Sequence, residues 1–279
     1  MNSYAYYNGN FGNRNEITIP LSDRSIFFGD AIYDAAIGAY DRILWEDEHI
    51  ERFLCNADKI GINHNLNAKY LSELLREVAI KSMINNYFIY FQLSRDLKNR
   101  THSANGCGAN LLITIDPIEV KRDFTPLKLI STEDKRYEYC DVKTVNLLPA
   151  VLAATETENA GCDEAVFIKN KIVTECTKSN ISIIKQGRVI SHPKSNHILP
   201  GITREHLRKI CLSLGITFDE EKFTYNDLVS ADEILITSTT KLCKTVGFVD
   251  SFPVGGKDKA LASKICEKMY KEYADFCIK

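Results

Sequence analysis

Two short stretches decide the fold expected for this chain: DVKTVNLL at residues 141–148 and VTECTKSN at residues 173–180. The first stretch places Lys143 between apolar neighbours just ahead of a predicted helix, and the second places Glu175 at the end of a predicted strand. Each stretch alone is weak evidence, because a single lysine or glutamate is usually a solvated surface charge. Their chemistry becomes specific only when both are considered together.

A desolvated lysine and a carboxylate are the two protein groups that pyridoxal phosphate (PLP) chemistry requires. Loss of hydration disfavours the ammonium form of a lysine, so Lys143 becomes a usable amine nucleophile near neutral pH. The carboxylate of Glu175 can then hold the proton on the pyridine nitrogen. The two stretches therefore predict a Schiff-base lysine and its acidic partner.

The composition argues against several other classes of function. With 279 residues and 44% hydrophobic content, the chain is long enough for two modest domains or one large one, with a real core. Lysine plus arginine (35) nearly balance aspartate plus glutamate (37), and the pI is near 6.3, so no nucleic-acid partner is expected. The chain has neither a signal-peptide pattern nor an apolar run long enough for a bilayer, which predicts a soluble cytoplasmic protein without membrane contact.

The cysteines and histidines predict neither a disulfide framework nor a metal site. Nine cysteines are scattered singly and are expected to be reduced thiols. Six histidines show no His-x-x-x-His spacing, so no metal is expected.

The hydrophobic periodicity predicts a two-domain chain of the α+β or α/β class with mixed sheets. The smaller N-terminal α/β domain covers residues 1–118, a charged linker covers 119–123, and the larger C-terminal domain covers 124–279. In the first domain we expect strands at 3–7, 17–19, 33–39, 42–45, 87–94 and 111–115 and helices at 46–60 and 68–83. In the second we expect strands at 127–131, 164–169, 172–175, 180–185, 188–191 and 233–236 and helices at 147–160, from 201, and at 259–276.

Three groups are candidates for holding a phosphate. Thr203 lies at a predicted helix start, where unpaired N–H groups and the helix dipole favour anions. Hydroxyls at 238–240 follow a strand, and the guanidinium of Arg52 offers a planar donor fork. Ordinary alternatives exist for each group: Thr203 as a helix cap, 238–240 as a turn, and Arg52 paired with Glu48.

Two pairs of side chains are candidates for binding a substrate carboxylate. Arg100 and His102 are two residues apart, so in extended chain their side chains point the same way. Tyr33 and Tyr90 lie on predicted strands and could donate phenol hydroxyls. Solvated loop residues and packed tyrosines are the common alternatives, and composition does not separate them.

At this point several motifs match one family in order and spacing, over nearly the whole chain. The chain resembles the fold-type IV (class IV) PLP-dependent aminotransferases, and within them most resembles the D-amino acid aminotransferases. The matching segments are Asp23-Arg24, 28–33, 49–52, 89–92, Arg100-x-His102, Lys143 with 146–148, Thr174-Glu175, Ser179-Asn180, 198–204 and 237–240.

The resemblance implies a role for each matched residue. Lys143 would form the Schiff base and shuttle the substrate proton, and Glu175 would keep the pyridine nitrogen protonated. The cofactor, placed between the two domains, would be bound by Arg52, Lys143, Glu175, Leu199, Ile202, Thr203, Ser238 and Thr239. Substrate would be bound by Tyr33, Tyr90, Arg100 and His102.

The implied activity is ping-pong transfer of the amino group of a D-amino acid, with D-alanine expected, to a 2-oxo acid, with 2-oxoglutarate expected, in a homodimer. Alternatives are an aminodeoxychorismate lyase, a branched-chain or R-amine aminotransferase, or a degenerate non-enzymatic homologue. Cys176, Lys178, Pro149-Ala150 and Asp34 depart from the family pattern and bear on side-chain preference. Lys178 would either add positive charge near the cofactor or point to water.

Overall fold

The computed structural model describes residues 3–96 and 100–278, which lie in two compact units. The first unit comprises Met1–Val120 with Val142–Asn146, and the second comprises Lys121–Asp141 with Leu147–Lys279. The chain thus leaves the first unit within the predicted linker and returns to it once. The prediction placed Lys143 in the C-terminal domain, whereas the structure places it in the first unit.

The first unit is a six-stranded sheet with helices. Its strands are β1 (Tyr4–Tyr7), β2 (Asn10–Asn13), β3 (Ala31–Ala39), β4 (Arg42–Ile43), β5 (Asn86–Arg95) and β6 (Ala109–Pro117), and its helices are α1 (Arg24–Phe28), α2 (Glu46–Lys59) and α3 (Ala68–Ser82). The strand order is β2-β1-β6-β5-β3-β4, and every adjacent pair is antiparallel.

The first hairpin is tighter than predicted. Asn8 and Gly9 both have positive φ, 44° and 92°, which is the geometry of a two-residue hairpin turn. Tyr7 therefore pairs directly with Asn10, and the returning strand is β2. The prediction of a returning strand at 17–19 was wrong, because the polar residues of β2 hide it from a hydrophobicity pattern.

The core of the first unit forms where the apolar stripes of α2 and α3 cover the sheet. Phe53 of α2 and Leu71 of α3 share this core with Phe91 of β5 and Ile113 of β6. The rings of Phe53 and Phe91 lie 4.8 Å apart, centroid to centroid. Packing of this kind gives β3 and β5 a fixed position.

The return of the chain to the first unit follows from an open strand edge. Strand β4 pairs with Gly38 and Ala39 at the C-terminal end of β3, so it does not cover the edge at the first residues of β3. Ile32 forms an antiparallel bridge with Thr144, and the Tyr33 N–H donates to the Lys143 carbonyl at 2.8 Å. Backbone pairing thus fixes Lys143 beside β3.

The second unit contains the larger, mixed sheet. Its strands are β7 (Leu127–Glu133), β8 (Glu164–Lys169), β9 (Ile172–Cys176), β10 (Asn180–Lys185), β11 (Arg188–Ser191), β12 (Phe218–Glu220), β13 (Glu233–Ser238), β14 (Leu242–Val249) and β15 (Phe252–Pro253). Its helices are α4 (Leu148–Asn159), α5 (Ile202–Ser213), α6 (Tyr225–Ser230) and α7 (Lys259–Ile278). The order is β12-β11-β10-β13-β14-β7-β8-β9, with β15 beside β14.

This sheet contains both parallel and antiparallel pairs. Strands β7/β8, β7/β14 and β11/β12 are parallel, and the remaining neighbours are antiparallel, which confirms the predicted mixed sheet. Helix α5 packs against β13. In the part of the chain that the structure describes, no helix combines the length and apolarity needed to cross a bilayer.

Candidate active site

The amine of Lys143 lies against an aromatic ring of β3. Its side chain is half-buried, and Nζ is 4.4 Å from the centroid of the Tyr33 ring. The neighbouring Val142 is buried in the first core, and the Val145 N–H donates to the Ala31 carbonyl at 3.2 Å. Both sides of the lysine are therefore fixed, which leaves its long side chain as the part that can move.

The same segment ends in a contact with a glycine. The Asn146 Nδ2 group donates to the Gly29 carbonyl at 2.9 Å. Gly29 has a φ of 59° as the C-cap of α1, and a Cβ at this position would overlap the Asn146 side chain. Only glycine suits both the left-handed conformation and this close approach.

Tyr33 and Tyr90 form a stacked pair on neighbouring strands. Their ring centroids lie 5.2 Å apart with an interplanar angle of 25°. The Tyr90 hydroxyl donates to Gln92 Oε1 at 2.6 Å, and burial raises the pKa of the Tyr90 phenol. Both predicted substrate tyrosines thus lie together, and Tyr33 also contacts Lys143.

Arg52 of α2 is held by a buried carboxylate on β3. Its Nε and Nη2 donate to the two oxygens of Asp34, each at 2.8 Å, and His49 Nδ1 lies 2.8 Å from the same carboxylate. Burial raises the pKa of Asp34, but the charge of Arg52 and the hydrogen bonds from Arg52 and His49 outweigh it and lower that pKa overall. Burial also lowers the pKa of His49, which therefore stays neutral and donates from Nδ1 to the ionised carboxylate.

Arg100 and His102 lie on the aromatic rings of α1. The guanidinium carbon of Arg100 is 5.7 Å from the Phe27 ring centroid and 5.5 Å from that of Phe28. The His102 ring is 5.6 Å from the Phe28 ring. Both side chains are exposed, and each of the two predicted carboxylate ligands lies near the Phe28 ring.

In the second unit, Glu175 is a buried carboxylate surrounded by donors. Its Oε2 accepts from Asn180 Nδ2 at 2.9 Å and from the Leu199 N–H at 3.0 Å, and its Oε1 accepts from Arg136. Only 6% of Glu175 is exposed. These donors fix the orientation of the carboxylate that the sequence assigns to the pyridine nitrogen.

Arg136 was missed by the sequence analysis. Besides Glu175, it donates to both oxygens of Asp134 at 2.9 and 2.8 Å and to the His197 carbonyl at 3.1 Å. Burial raises the pKa of Asp134, but Arg136 outweighs it and lowers that pKa overall. A lone arginine in a polar stretch carried no pattern that indicates these partners.

Asn180 joins Glu175 to the start of α5. Its Nδ2 also donates to the Leu199 carbonyl at 2.9 Å, and its Oδ1 occupies the space where a Cβ on Gly201 would lie. The matched motif included Asn180 without giving it a role. Its position shows that it orders the backbone between Leu199 and the helix.

The N-terminus of α5 is available to an anion. Gly201 is the N-cap residue, and it has no side chain with which to cap the helix. Thr203 is therefore the second residue of α5 rather than its cap, and it is 4% exposed, as Ile202 is 8% exposed. Uncapped N–H groups at the positive end of a helix dipole suit a phosphate.

The turn after β13 carries the second set of hydroxyls. Ser238 and Thr239 are half-buried there, and Ser238 Oγ accepts from the Lys241 N–H at 3.3 Å. Beside them, the buried Thr237 Oγ1 has no hydrogen-bond partner among the described residues. Because buried polar groups are nearly always paired, this hydroxyl and the uncapped α5 fit a bound phosphate.

A buried glutamate connects this turn with the turn after Glu175. Glu164, 1% exposed, accepts from Lys241 Nζ at 2.7 Å and from Ser179 Oγ at 2.7 Å. It also accepts from the Lys178 N–H at 3.3 Å. Sequence analysis did not single out Glu164, because in sequence it is only the first residue of an ordinary strand.

The structure shows where three of the residues that depart from the family pattern lie. The Lys178 side chain is exposed, so of the two predicted alternatives it points to water. Cys176 is buried in the second core, and burial raises the pKa of its thiol. Pro149 lies in the first turn of α4, where its missing N–H costs nothing.

Known proteins identify the family. The model of the family described as "Amino-transferase class IV" matches residues 33–246. A D-alanine aminotransferase of Staphylococcus epidermidis is 34% identical over 274 residues, covering 96% of this chain and 97% of that protein. The D-alanine aminotransferase of Bacillus licheniformis is 32% identical and covers 89% of each chain.

A solved structure shows the same fold. The branched-chain aminotransferase of Thermoproteus uzoniensis, crystallised with norvaline, superposes with a TM-score of 0.88 over 99% of this chain and 97% of that one, at 20% identity. The predictions of the fold-type IV class and of a PLP enzyme are confirmed. The chain therefore belongs to the class IV aminotransferases, the enzymes that transfer amino groups with PLP.

Proposed function

We propose that this enzyme transfers the amino group of a D-amino acid, D-alanine being the expected donor, to a 2-oxo acid, with 2-oxoglutarate the expected acceptor. The observation that carries the proposal is the pairing of Arg100 and His102 on the Phe28 ring, where a guanidinium and an imidazole can bind one carboxylate together. The D-alanine aminotransferases that match nearly the whole chain support the same donor.

Each unit carries residues that we assign to the cofactor. In the first, Lys143 is the Schiff-base lysine and Arg52 is a phosphate ligand whose direction is set by Asp34. In the second, Glu175 would hold the proton on the pyridine nitrogen, and Leu199 would lie beside the ring. Ile202, Thr203, Ser238 and Thr239 would bind the phosphate, in accord with the start of α5 at Gly201.

PLP supplies an aldehyde for the substrate amine and a ring that accepts electrons when the Cα–H bond breaks. Lys143 Nζ takes the proton from the substrate Cα and, in the second half-reaction, returns a proton to the Cα of the oxo acid. Tyr33 lies against this amine and limits where it can move. Tyr33 and Tyr90 line the substrate site beside it, and Arg100 with His102 binds the carboxylate.

The enzyme is proposed to be a cytoplasmic homodimer. Helix α4 supports the dimer, because Leu148, Val151 and Leu152 are 68%, 55% and 58% exposed on its surface. Apolar side chains grouped in this way mark interaction surfaces. Light scattering at low micromolar concentration tests this: a mass of one chain would contradict the dimer.

A substrate panel tests the activity. Purified enzyme is assayed with D- and L-amino acids and 2-oxoglutarate, with the parent compared to Lys143→Ala and Arg100→Ala. We expect D-alanine to be a good donor for the parent, no turnover with Lys143→Ala, and a selective loss on D-amino acids with Arg100→Ala. Parent-level turnover by Lys143→Ala would contradict the mechanism.

The same panel separates the rival enzymes of this fold. L-leucine or R-amines as preferred donors would favour a branched-chain or R-amine aminotransferase. Release of pyruvate from aminodeoxychorismate without any oxo-acid acceptor would favour the lyase. Equal loss on D and L donors in Arg100→Ala, or no loss, would remove the carboxylate role of Arg100.

A further inference from the structure

We propose that Arg24 is a positioning residue for substrate binding, because it fixes the loop that carries Arg100 and His102. The inference rests on the proposed function, in which these two side chains bind the substrate carboxylate. Arg24 belongs to α1 and is 3% exposed, although it is a long charged side chain. A buried guanidinium needs several acceptors, and their identity shows what it holds.

The acceptors are three successive carbonyls of the loop. Arg24 Nη1 donates to the Thr101 carbonyl at 2.8 Å, and Nη2 donates to the His102 carbonyl at 3.0 Å. The Ser103 carbonyl lies 3.5 Å from Nη1. The Arg24 side chain therefore binds the backbone of residues 101–103, the part of the loop that contains His102 and directly follows Arg100.

Arg24 is itself fixed on its remaining edge. Its Nε donates to Asp30 Oδ2 at 2.6 Å, and its guanidinium carbon lies 4.4 Å from the Phe28 ring centroid. Asp30 is oriented in turn by a second arginine, Arg95. The planar guanidinium of Arg24 thus donates to the Asp30 carboxylate through Nε and to the loop carbonyls through Nη1 and Nη2.

The Phe28 ring lies near all three of the side chains involved: the guanidinium groups of Arg24 and Arg100 and the imidazole of His102. Arg24, Arg100 and His102 lie 4.4, 5.5 and 5.6 Å from this ring, respectively. Arg100 and His102 are exposed, so surrounding side chains do not enclose them. Their position before substrate arrives depends on the backbone that Arg24 holds, and such preorganisation strengthens binding.

The test compares Arg24→Lys with the parent in the half-reaction of PLP-loaded enzyme with D-alanine, followed by cofactor absorbance in single turnovers. Lysine keeps the charge but loses the planar fork that reaches several carbonyls. We expect the half-saturating D-alanine concentration to rise about tenfold, as for loss of one or two hydrogen bonds, with the limiting rate within about twofold. The matched control is Arg76→Lys, which changes an arginine that donates through Nε and Nη2 to Glu46 and should leave half-saturation near the parent value.

A double-mutant cycle separates positioning from general stability. In the background Arg100→Ala/His102→Ala, the side chains that Arg24 positions are gone, so Arg24→Lys should cause no further rise. A rise of equal size in both backgrounds, or no rise in the parent background, overturns the inference. If Arg100→Ala/His102→Ala itself leaves half-saturation unchanged, the proposed carboxylate site fails, and the inference fails with it.

A second variant covers the case in which Arg24→Lys is too unstable to assay. Arg24→Ala is measured with and without added guanidinium ion, which can enter the vacated space and donate to the same carbonyls. Recovery of D-alanine half-saturation supports the inference. Recovery of the thermal midpoint without recovery of half-saturation overturns it.

Discussion

Arg52 presents one edge of its guanidinium to Asp34, with Nε and Nη2 each 2.8 Å from a carboxylate oxygen. Asp34 is fully buried, so the pair has little solvent screening. In this geometry the direction of the guanidinium is set by a strand residue next to Tyr33. The position of a proposed phosphate ligand is therefore tied to the strand that also carries a substrate tyrosine.

Asp34→Asn should destabilise the protein, because it keeps the size of the side chain and removes the charge that compensates Arg52. We expect the free energy of unfolding to fall by about 3 kcal/mol, the usual cost of leaving one partner of a buried ion pair. Urea denaturation of the PLP-free protein measures it. The control Asp116→Asn breaks the exposed pair with Arg14 and should cost less than about 1 kcal/mol. Equal losses in both variants would contradict the buried-pair argument.

Stability should fall as the pH decreases below about 6.5, in part because of His49. Burial holds the pKa of folded His49 below its ordinary value, so the unfolded chain binds a proton that the folded chain does not. The contribution is complete above the unfolded pKa and declines as the pH falls toward the folded one. Thermal midpoints measured between about pH 7.5 and about pH 5.5 should show a smaller decline in His49→Gln than in the parent.

The decline of the thermal midpoint in His49→Gln must be subtracted from the decline in the parent. Burial also lowers the pKa of His192, which is present in both proteins. His192 therefore contributes a decline of the same sign to each. Parallel curves for parent and His49→Gln would show that His49 is not responsible.

Glu164→Gln should weaken cofactor binding. The substitution removes the charge that pairs with Lys241 and disturbs the acceptor for Ser179, so both turns beside the proposed cofactor groups lose a fixed partner. We expect the PLP dissociation constant to rise about tenfold, since loss of one charged hydrogen bond corresponds to that factor. Titration of the PLP-free protein, followed by absorbance, measures it. Glu158→Gln, exposed on α4, is the control, and equal affinities of the two variants would contradict the role of Glu164.

Gly29→Ala should slow the proton transfer made by Lys143. An alanine here is strained at φ 59° and also overlaps Asn146, which displaces the segment carrying the lysine. Gly187→Ala is the matched control, because its φ is 72° but the space around it is open. Both variants should lose about 1 kcal/mol of stability from strain. Only Gly29→Ala should reduce the single-turnover rate with D-alanine, and a similar rate in the two variants would remove the link to Lys143.

Much of the fold could be predicted from local patterns. The apolar stripe of α2 ends within one residue of the expected boundary, and the hairpin β10–β11 has the predicted limits. Both elements have strong periodicity and clear turn residues, which a single sequence shows directly. Polar or short elements such as β2 and α1 were missed, because their pairing and capping decide them rather than hydrophobicity.

Site residues that lie in a recognisable motif could be predicted from the sequence. Residues whose role depends on a hydrogen-bond partner far away in the sequence could not. Lys143 and Glu175 lie in stretches that resemble a known family. Arg24 lies in a matched segment that gave it no role, and Arg136 lies in none. Their partners, the carbonyl of Thr101 and the carboxylate of Glu175, are far from them in sequence. A buried guanidinium is defined by acceptors that only the tertiary fold brings to it.

The return of residues 142–146 to the first unit also constrains the order in which the protein can be completed on the ribosome. The strand edge at Ile32 gains its partner only after residues 121–141, which belong to the second unit, have been synthesised. A nascent chain that ends at Val120 therefore exposes an unpaired edge, a site for pairing with other chains. Lys143 lies in the same segment, residues 142–146, that pairs with the strand edge at Ile32. The ribosome therefore adds the reactive amine and the missing partner of this edge at the same stage of synthesis.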